Sequence, residues 1–324
     1  MILCDNKLNN ENNSPLVSII TTTYKKYGKL EDTIASVCAQ DYKQIEYIIS
    51  DDGSENFDKS YVEQLIKKYK RENITNVIII HHQENLGTVR NISLATQQAN
   101  GEYVISIGAD DVFVNDNVIS RIVERMLEKQ CEILSFTRIQ KSLDGRILRK
   151  MPHESFYGKI KSMNSAKKQY RALVTGFYYE FASGSSICSK RSTLTKMGYY
   201  DDNYKYWEDG PYLAKCNYNG IIVETAYDID GIIYQLGGIS SKKTTVESKA
   251  VKGLRDDAFK FYKSELEREP SLLTKEDKRK IKYALLRNRC NSKKKYLYML
   301  MYLDVVFLRF YLKIQMKRAD NSRK

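Results

Sequence analysis

The stretch from Leu16 to Asp52 reads LVSIITTTYKKYGKLEDTIASVCAQDYKQIEYIISDD, and it contains a strand, a helix and a second strand in succession. Leu16 to Ile20 is a short apolar run that passes into polar Thr21 to Tyr24, which is typical of a buried strand ending at a sheet edge. Apolar side chains then recur at the spacing of a helix with one face on a sheet, at Leu30, Ile34, Val37 and Cys38. Glu46 to Ser50 is predicted to form the second strand.

The same alternation continues along the chain. Helical spacing returns at Val62 to Tyr69, Val89 to Ala99 and Val118 to Met126, and further strands are predicted at Val77 to Ile80 and Tyr103 to Ile107. Four apolar strands that alternate with helices predict an α/β fold with a mostly parallel central sheet and right-handed connections.

Polar side chains follow three of these strands at their carboxyl ends. Ligands of parallel α/β sheets bind outside the carboxyl ends of the strands, so these side chains predict a binding site there. They are Thr22 and Tyr24 after the first strand, Asp51 and Asp52 after the second, and Asp110 and Asp111 after the fourth.

The chain has no glycine motif for binding phosphate. G-x-G-x-x-G does not follow the first strand, and G-x-x-x-x-G-K-[ST] occurs nowhere. Adjacent carboxylates at a strand end can instead hold Mg²⁺ or Mn²⁺, which neutralises a diphosphate. Asp110 and Asp111 are the candidate ligands, although the same dipeptide alone also suits an ordinary turn.

Charge is distributed unevenly along the sequence. The 324 residues carry a net charge of +13, yet residues 241–324 hold 24 basic and 10 acidic residues, while the first 240 hold 29 basic and 30 acidic. A nearly neutral α/β part without a recognised nucleic-acid motif argues against a nucleic-acid-binding protein. A hydrophobic content of 42% excludes a disordered chain.

The composition also suggests a division into three parts. Met1 to Ser14 is rich in Asn and lacks the features of a secretory signal, so we predict a disordered leader at residues 1–14. An α/β domain is predicted at residues 15–240 and a basic α-helical module at residues 241–324. Six cysteines without C-x-x-C spacing fit free thiols in a reduced, cytoplasmic setting.

Five motifs resemble, in order and approximate spacing, those of the inverting family 2 glycosyltransferases of the GT-A fold. They are VSIITTTY at residues 17–24, IISDDGS at 48–54, NLGTVRN at 85–91, GEYVISIGADD at 101–111 and WED at 207–209. The resemblance covers roughly residues 15–240 and implies a GT-A-type nucleotide-binding sandwich. It further implies transfer of a sugar from a nucleotide-sugar, a UDP-sugar by expectation, to a saccharide or lipid-linked saccharide acceptor.

The resemblance also implies donor-binding roles for residues that match its motifs. These residues are Thr22 and Tyr24 beside the base, Asp51 or Asp52 at the uracil or ribose, Arg90 at the base or diphosphate, and Asp110 and Asp111 at the Mn²⁺ or Mg²⁺ ion and the ribose. Gly108 departs from the family pattern, because it stands where relatives commonly carry the first Asp of D-x-D-D. The stretch YQLGGIS from Tyr234 to Ser240 also lacks the His with which many relatives contact the metal.

Inversion at an anomeric carbon requires a general base within reach of the acceptor hydroxyl, on the face opposite the leaving diphosphate. Asp209 fits this base, and Glu208 beside it would orient the acceptor or raise the pKa of the base by like-charge proximity. Trp207, Gly184 and Ser185 are expected to contact the acceptor. Taken alone, Trp207–Asp209 would equally suit a helix start, and Gly184–Ser185 a core strand with small residues.

The last apolar segment, Tyr296 to Ile314, is interrupted by Asp304, Arg309 and Lys313. Charges near the centre of a spanning helix cost several kcal/mol each, so the segment is not expected to span a membrane. Two roles remain open. The segment suits an interfacial helix on an anionic inner leaflet, and it suits a helix buried against the catalytic domain or a second copy in a homodimer.

The leading hypothesis is a metal-assisted inverting glycosyltransferase of surface polysaccharide or glycolipid synthesis, placed in the cytoplasm or peripherally on the inner face of the cell membrane. The alternative is a catalytically silent sugar-nucleotide-binding domain that its basic C-terminal helices dock to membranes or partner enzymes. Gly108 favours the alternative, and mutation of Asp209 separates the two, because a binding module would lose nothing.

Overall fold

The computed structural model describes residues 14–25, 27–142, 144–177, 180–235, 249–268, 270–289, 297 and 299–321. Residues 1–13 of the predicted leader lie outside these ranges. The predicted domain boundary at residue 240 and the last five residues of the stretch from Tyr234 to Ser240 also lie outside them.

The first part of the chain follows the predicted alternation of strands and helices. Its elements are β1 (Val17–Thr23), α1 (Leu30–Cys38), β2 (Ile45–Asp51), α2 (Lys59–Tyr69), β3 (Ile74–His81), α3 (Thr88–Gln97), β4 (Tyr103–Gly108) and, after a short strand, α4 (Val118–Lys129). Strands β1 to β4 are parallel neighbours in the order β3-β2-β1-β4. The predicted fold class is therefore confirmed.

Five further strands extend this sheet, and only the fourth of them lies beside a stretch for which a strand was considered, Gly184–Ser185. They are β5 (Asp111–Phe113), β6 (Ile133–Lys141), β7 (Ile147–Met151), β8 (Ile187–Lys190) and β9 (Val223–Gln235). The full order is β3-β2-β1-β4-β8-β6-β9-β5, with β7 paired to β6. Strand β8 is antiparallel to both β4 and β6, and β9 runs parallel to β6 and antiparallel to β5.

Helices cover both faces of the sheet. The remaining helices of this region are α5 (Tyr157–Ser162), α6 (Ala166–Val174), α7 (Arg191–Lys196) and α8 (Asp209–Tyr218). Side chains of β1 alternate between the faces, so that Val17 and Ile19 join the core under α1, α2 and α4, while Ile20 joins the core under α3, α6 and α8. Full burial of a side chain of this kind contributes about 1.5–3 kcal/mol to the free energy of unfolding.

The predicted helical character of the C-terminal part is confirmed by α9 (Lys249–Arg268), α10 (Lys275–Arg289) and α11 (Leu303–Asn321). Phe261 of α9 and Ile281 of α10 are buried in the same core as α6 and α8. The Arg309 guanidinium of α11 lies 4.8 Å from the centre of the Phe177 ring. None of the described helices combines the length and the apolar character needed to cross a membrane.

Candidate functional site

The structure brings the predicted donor residues together at the carboxyl ends of β1, β2 and β4. Thr22 of β1 lies in register with Ser50 of β2 and with Gly108 of β4. The carbonyl oxygen of Thr22 accepts the Ala109 N–H at 3.1 Å, which holds the start of the loop with Asp110 against β1. Tyr24 follows β1, and 40% of its surface is exposed at this edge.

Asp51 is fully buried at the end of β2, and four hydrogen-bonding groups surround its carboxylate. Oδ1 accepts the Tyr27 hydroxyl at 2.8 Å and the Ser54 hydroxyl at 2.7 Å. Oδ2 accepts the Ser54 N–H at 2.8 Å and lies 2.9 Å from His81 Nδ1. His81 also stacks on the Phe57 ring with a centroid distance of 4.8 Å. The sequence patterns did not predict Tyr27 or His81 as partners of this carboxylate.

Asp52 holds the neighbouring loop that leads into α3. Its carboxylate accepts the Asn85 side-chain amide at 2.8 Å, the Leu86 N–H at 2.7 Å and the Gly87 N–H at 3.0 Å. Burial raises the pKa of Asp52. Arg90 lies in the first turn of α3, directly beyond this loop, and is exposed. Asp52 therefore fixes the loop that positions Arg90.

Asp110 and Asp111 converge on one point next to Gly108. A Cβ built on Gly108 would lie 3.3 Å from Asp110 Oδ1 and 3.4 Å from Asp111 Oδ2. Two carboxylates that face one point are oxygen donors of the type that Mg²⁺ and Mn²⁺ prefer. Among the described residues, no group of three His, Cys, Asp or Glu side chains could hold a metal ion, so this pair alone would complete only part of a coordination shell.

Asp209 is the first residue of α8, and its carboxylate is held in place by the backbone. Oδ2 accepts the Gly184 N–H at 2.8 Å and Oδ1 accepts the Gly210 N–H at 2.7 Å. Gly184 is tied in turn to β4, because its carbonyl oxygen accepts the Ser106 hydroxyl at 3.2 Å. A small pocket between these elements is lined by Ser106, Gly184 and Asp209, among others. Asp209, the residue predicted to act as the base, therefore also lies at the helix start that its motif suited.

Glu208 directly precedes Asp209 in the chain, and its carboxyl group contacts Gly184. Burial and, to a smaller extent, repulsion from Asp209 raise the pKa of Glu208 to about 8. Glu208 Oε1 lies 2.8 Å from the position that a Cβ on residue 184 would occupy, so the contact requires Gly184. At neutral pH the carboxyl group of Glu208 is therefore mostly protonated.

The predicted acceptor residues have different surroundings. Gly184 and Ser185 lie in a short 3₁₀ turn that contacts the Glu208–Asp209 pair through Gly184. The Trp207 ring packs edge-on against Phe261 of α9 at a centroid distance of 5.1 Å. A Cβ on Gly210 would lie 2.4 Å from Trp207 Cζ2, so the indole also packs on the start of α8.

Three comparisons place these features among known proteins. The model of glycosyl transferase family 2 matches residues 18–186. The GalNAc(5)-diNAcBac-PP-undecaprenol beta-1,3-glucosyltransferase of Campylobacter jejuni is 27% identical over 190 residues, which is 59% of this chain and 56% of that protein. The chain spans about half the length of the curated relatives that it matches.

Two solved structures share the fold at low sequence identity. S. aureus TarS 1-349 in complex with UDP-GlcNAc aligns with a TM-score of 0.60 and 16% identity, covering 90% of this chain and 80% of that one. The mannosyltransferase PcManGT from Pyrobaculum calidifontis, in complex with GDP-Man and Mn²⁺, aligns with a TM-score of 0.60 and 14% identity, covering 94% and 85%. The model of glycosyl transferase family 2 covers just over half of this chain. The chain therefore belongs to glycosyl transferase family 2.

Proposed function

We propose that this chain is an inverting glycosyltransferase that moves a sugar from a UDP-sugar to a hydroxyl of a saccharide or lipid-linked saccharide during surface polysaccharide or glycolipid synthesis. The observation that carries the proposal is the contact of two acidic groups with the carboxyl-terminal half of β4. Ser106 of β4 binds Gly184, whose N–H holds Asp209, and Gly108 of the same strand faces Asp110 and Asp111. These contacts support a base and a cation site near the same strand end.

On the donor side, we assign Asp110 and Asp111 to a Mn²⁺ or Mg²⁺ ion. When bound, the ion supplies positive charge that neutralises the departing diphosphate. Thr22, Tyr24 and Arg90 are assigned to the nucleotide, because they border the same sheet edge. Asp51 and Asp52 shape this donor site, and their carboxylates already accept hydrogen bonds from neighbouring residues.

On the acceptor side, we assign the general base to Asp209. Its two N–H partners fix the carboxylate at the start of α8, beside the pocket lined by Ser106 and Gly184. Glu208 is protonated at neutral pH, so it adds no second negative charge next to the base. Asp209 takes the proton of the acceptor hydroxyl as that oxygen attacks the anomeric carbon.

Calorimetric titration of the purified chain with UDP and with GDP, each with and without Mn²⁺, tests the donor site. We expect UDP to bind at least tenfold more tightly with Mn²⁺ than without it, because the cation joins the diphosphate to the acidic pair. Chelation with EDTA is expected to reverse this gain. Failure of both nucleotides to bind under every condition would contradict the proposed function.

We also propose that α11 docks the enzyme on the anionic inner face of the cell membrane. The large apolar side chains Leu303, Phe307, Phe310 and Tyr311 of this helix recur at helical spacing, and between 44% and 65% of each is exposed. The opposite face carries Val305 and Arg309, which pack on the rest of the protein. Exposed Lys313, Lys317 and Arg318 border the apolar stripe, and each basic side chain near an anionic leaflet contributes about 1 kcal/mol.

Co-sedimentation with vesicles tests this docking. We expect the chain to sediment with phosphatidylglycerol-containing vesicles and not with neutral ones, and F307S/F310S to lose at least tenfold in vesicle affinity. The matched control is Leu127→Ser, which removes an apolar side chain on α4 that is 52% exposed. A concentration-dependent dimer that F307S/F310S abolishes, together with no vesicle binding, would instead assign the stripe to a homodimer.

A further inference from the structure

Asp257 of α9 is a buried carboxylate that contacts the segment just before the Glu208–Asp209 pair. Only 2% of its surface is exposed. Its Oδ2 accepts three consecutive backbone N–H groups, from Lys205 at 2.9 Å, Tyr206 at 2.6 Å and Trp207 at 3.2 Å. Within the part of the chain that the structure describes, no lysine or arginine forms a salt bridge with this carboxylate. The hydrogen bonds from these three amides therefore offset most of the free-energy cost of burying this carboxylate.

The neighbouring turns of α9 contact the same segment. Gly253 lies four residues before Asp257, and a Cβ there would lie 2.1 Å from Cε2 of the Tyr206 ring. Phe261 lies four residues after Asp257 and packs edge-on against Trp207. Residues four apart share one face of a helix, so this face of α9 contacts residues 205–207 at three successive turns.

Residues 205–207 also contact the start of α3, on the donor side of the site. The Lys205 carbonyl oxygen accepts the Val89 N–H of α3 at 3.2 Å. A Cβ on Gly87 would lie 2.8 Å from the same oxygen, so the two segments are closely packed. Displacement of residues 205–207 would therefore disturb both the start of α8 and the start of α3.

We infer that Asp257 is a positioning residue, which fixes the backbone of residues 205–207 so that Asp209 is held in its reactive position. Asp257 lies beyond the predicted boundary of the catalytic domain, so the C-terminal helices complete the catalytic site. This inference rests on the proposed role of Asp209. The helix face defined by Gly253, Asp257 and Phe261 contributes structure to the site and no chemical step.

Asp257→Asn tests the inference, because asparagine keeps the shape of the side chain and removes its negative charge. In the full chain we expect amide hydrogen exchange at residues 205–207 to become at least tenfold faster. We also expect kcat to fall by about tenfold or more. The KM for the donor and the affinity for UDP should change by a smaller factor, because the segment contacts α3, which carries Arg90, through the Lys205 carbonyl oxygen. The control is Asp256→Asn on the exposed side of the same helix, which is expected to change none of these quantities.

Gly253→Ala provides a second test should Asp257→Asn fail to fold. The added methyl group favours the helix but displaces the Tyr206 ring, so kcat is expected to fall in the same way. Unchanged exchange at residues 205–207, or faster exchange with an unchanged kcat, would overturn the inference. Absence of turnover in the unmodified chain would contradict the proposed function instead, and the exchange measurement would still decide whether Asp257 anchors the segment.

Discussion

Replacement of Asp209 by Asn is expected to lower the kcat of sugar transfer by about 10²–10⁴-fold, the usual contribution of a general base. The amide cannot take the proton of the acceptor hydroxyl. It is of the same size, and its oxygen still accepts one of the two N–H groups, from Gly184 or from Gly210. UDP affinity should stay within twofold, because the acidic pair at Asp110 and Asp111 is untouched. The measurement is transfer of labelled sugar, with calorimetry of UDP binding on the same preparation.

Glu208→Gln is the matched control for this substitution. Glutamine resembles the protonated form of Glu208 that the raised pKa of about 8 favours at neutral pH, so we expect kcat at pH 7 to change by less than fivefold. A loss as large as that of Asp209→Asn would assign the base to the pair and not to Asp209 alone. Turnover unchanged in both variants would refute Asp209 as the base. No turnover in the unmodified chain, with UDP binding retained, would support the catalytically silent binding domain.

The same control has a distinct effect on stability. Because the pKa of Glu208 is raised from 4.5 to about 8 on folding, its stabilising contribution is complete below pH 4.5 and is lost as the pH rises through 8. Glutamine does not titrate, so the Tm of Glu208→Gln should decline less than that of the unmodified chain over this interval. Thermal unfolding at several pH values measures the difference.

Replacement of Asp110 by Ala is expected to abolish the Mn²⁺ dependence of UDP binding and to lower kcat by about 10²–10³-fold, comparable to the loss of one preorganised stabilising group at a developing charge. The reason is that Asp110 and Asp111 face one point and share the proposed cation. Glu72→Ala is the control, since Glu72 is exposed before β3, at the opposite edge of the sheet. Mn²⁺-dependent UDP binding that persists in Asp110→Ala would refute this assignment.

Gly108→Asp probes the same point by addition. The new side chain starts 3.3 Å from Asp110 Oδ1 and 3.4 Å from Asp111 Oδ2, so a third carboxylate joins the pair. We expect a lower Tm in EDTA because of like-charge repulsion, and a larger rise in Tm on adding Mn²⁺ than in the unmodified chain. An equal rise in both proteins would show that the side chain at position 108 does not reach the cation.

The sequence was most informative where local periodicity and spatial order agree. Strands β1 to β4 are short apolar runs between amphipathic helices, so their identity and parallel arrangement follow from local pattern. Strands β6 and β9 form a parallel pair between residues about 90 positions apart, as between Ile133 and Val223, and no local pattern records such a pairing. Propensity alone therefore left the second half of the sheet unpredicted.

The residues of the candidate site also divide into those that local sequence patterns could predict and those that they could not. Asp110, Asp111 and Asp209 could be proposed because they follow strands or begin a helix within recognisable motifs. Asp257 could not, because it sits in an ordinary helical stretch beside Arg255 and Asp256, and its partners are backbone amides some fifty residues earlier. A contact with main-chain groups imposes no particular residue type on its partner, so the sequence carries no sign of it.

The pairing of β9 has a consequence for the order in which the protein folds during synthesis. Strands β1 to β4 can associate once residue 108 has emerged, but Asp111 of β5 finds its partner Tyr234 only after β9 is complete. The ribosome adds about 5–20 residues per second, so the edge of β6 that pairs with β9 stays unpaired for several seconds. Unpaired strand edges template aggregation, so we expect β6 to be the segment most dependent on chaperones in the nascent chain.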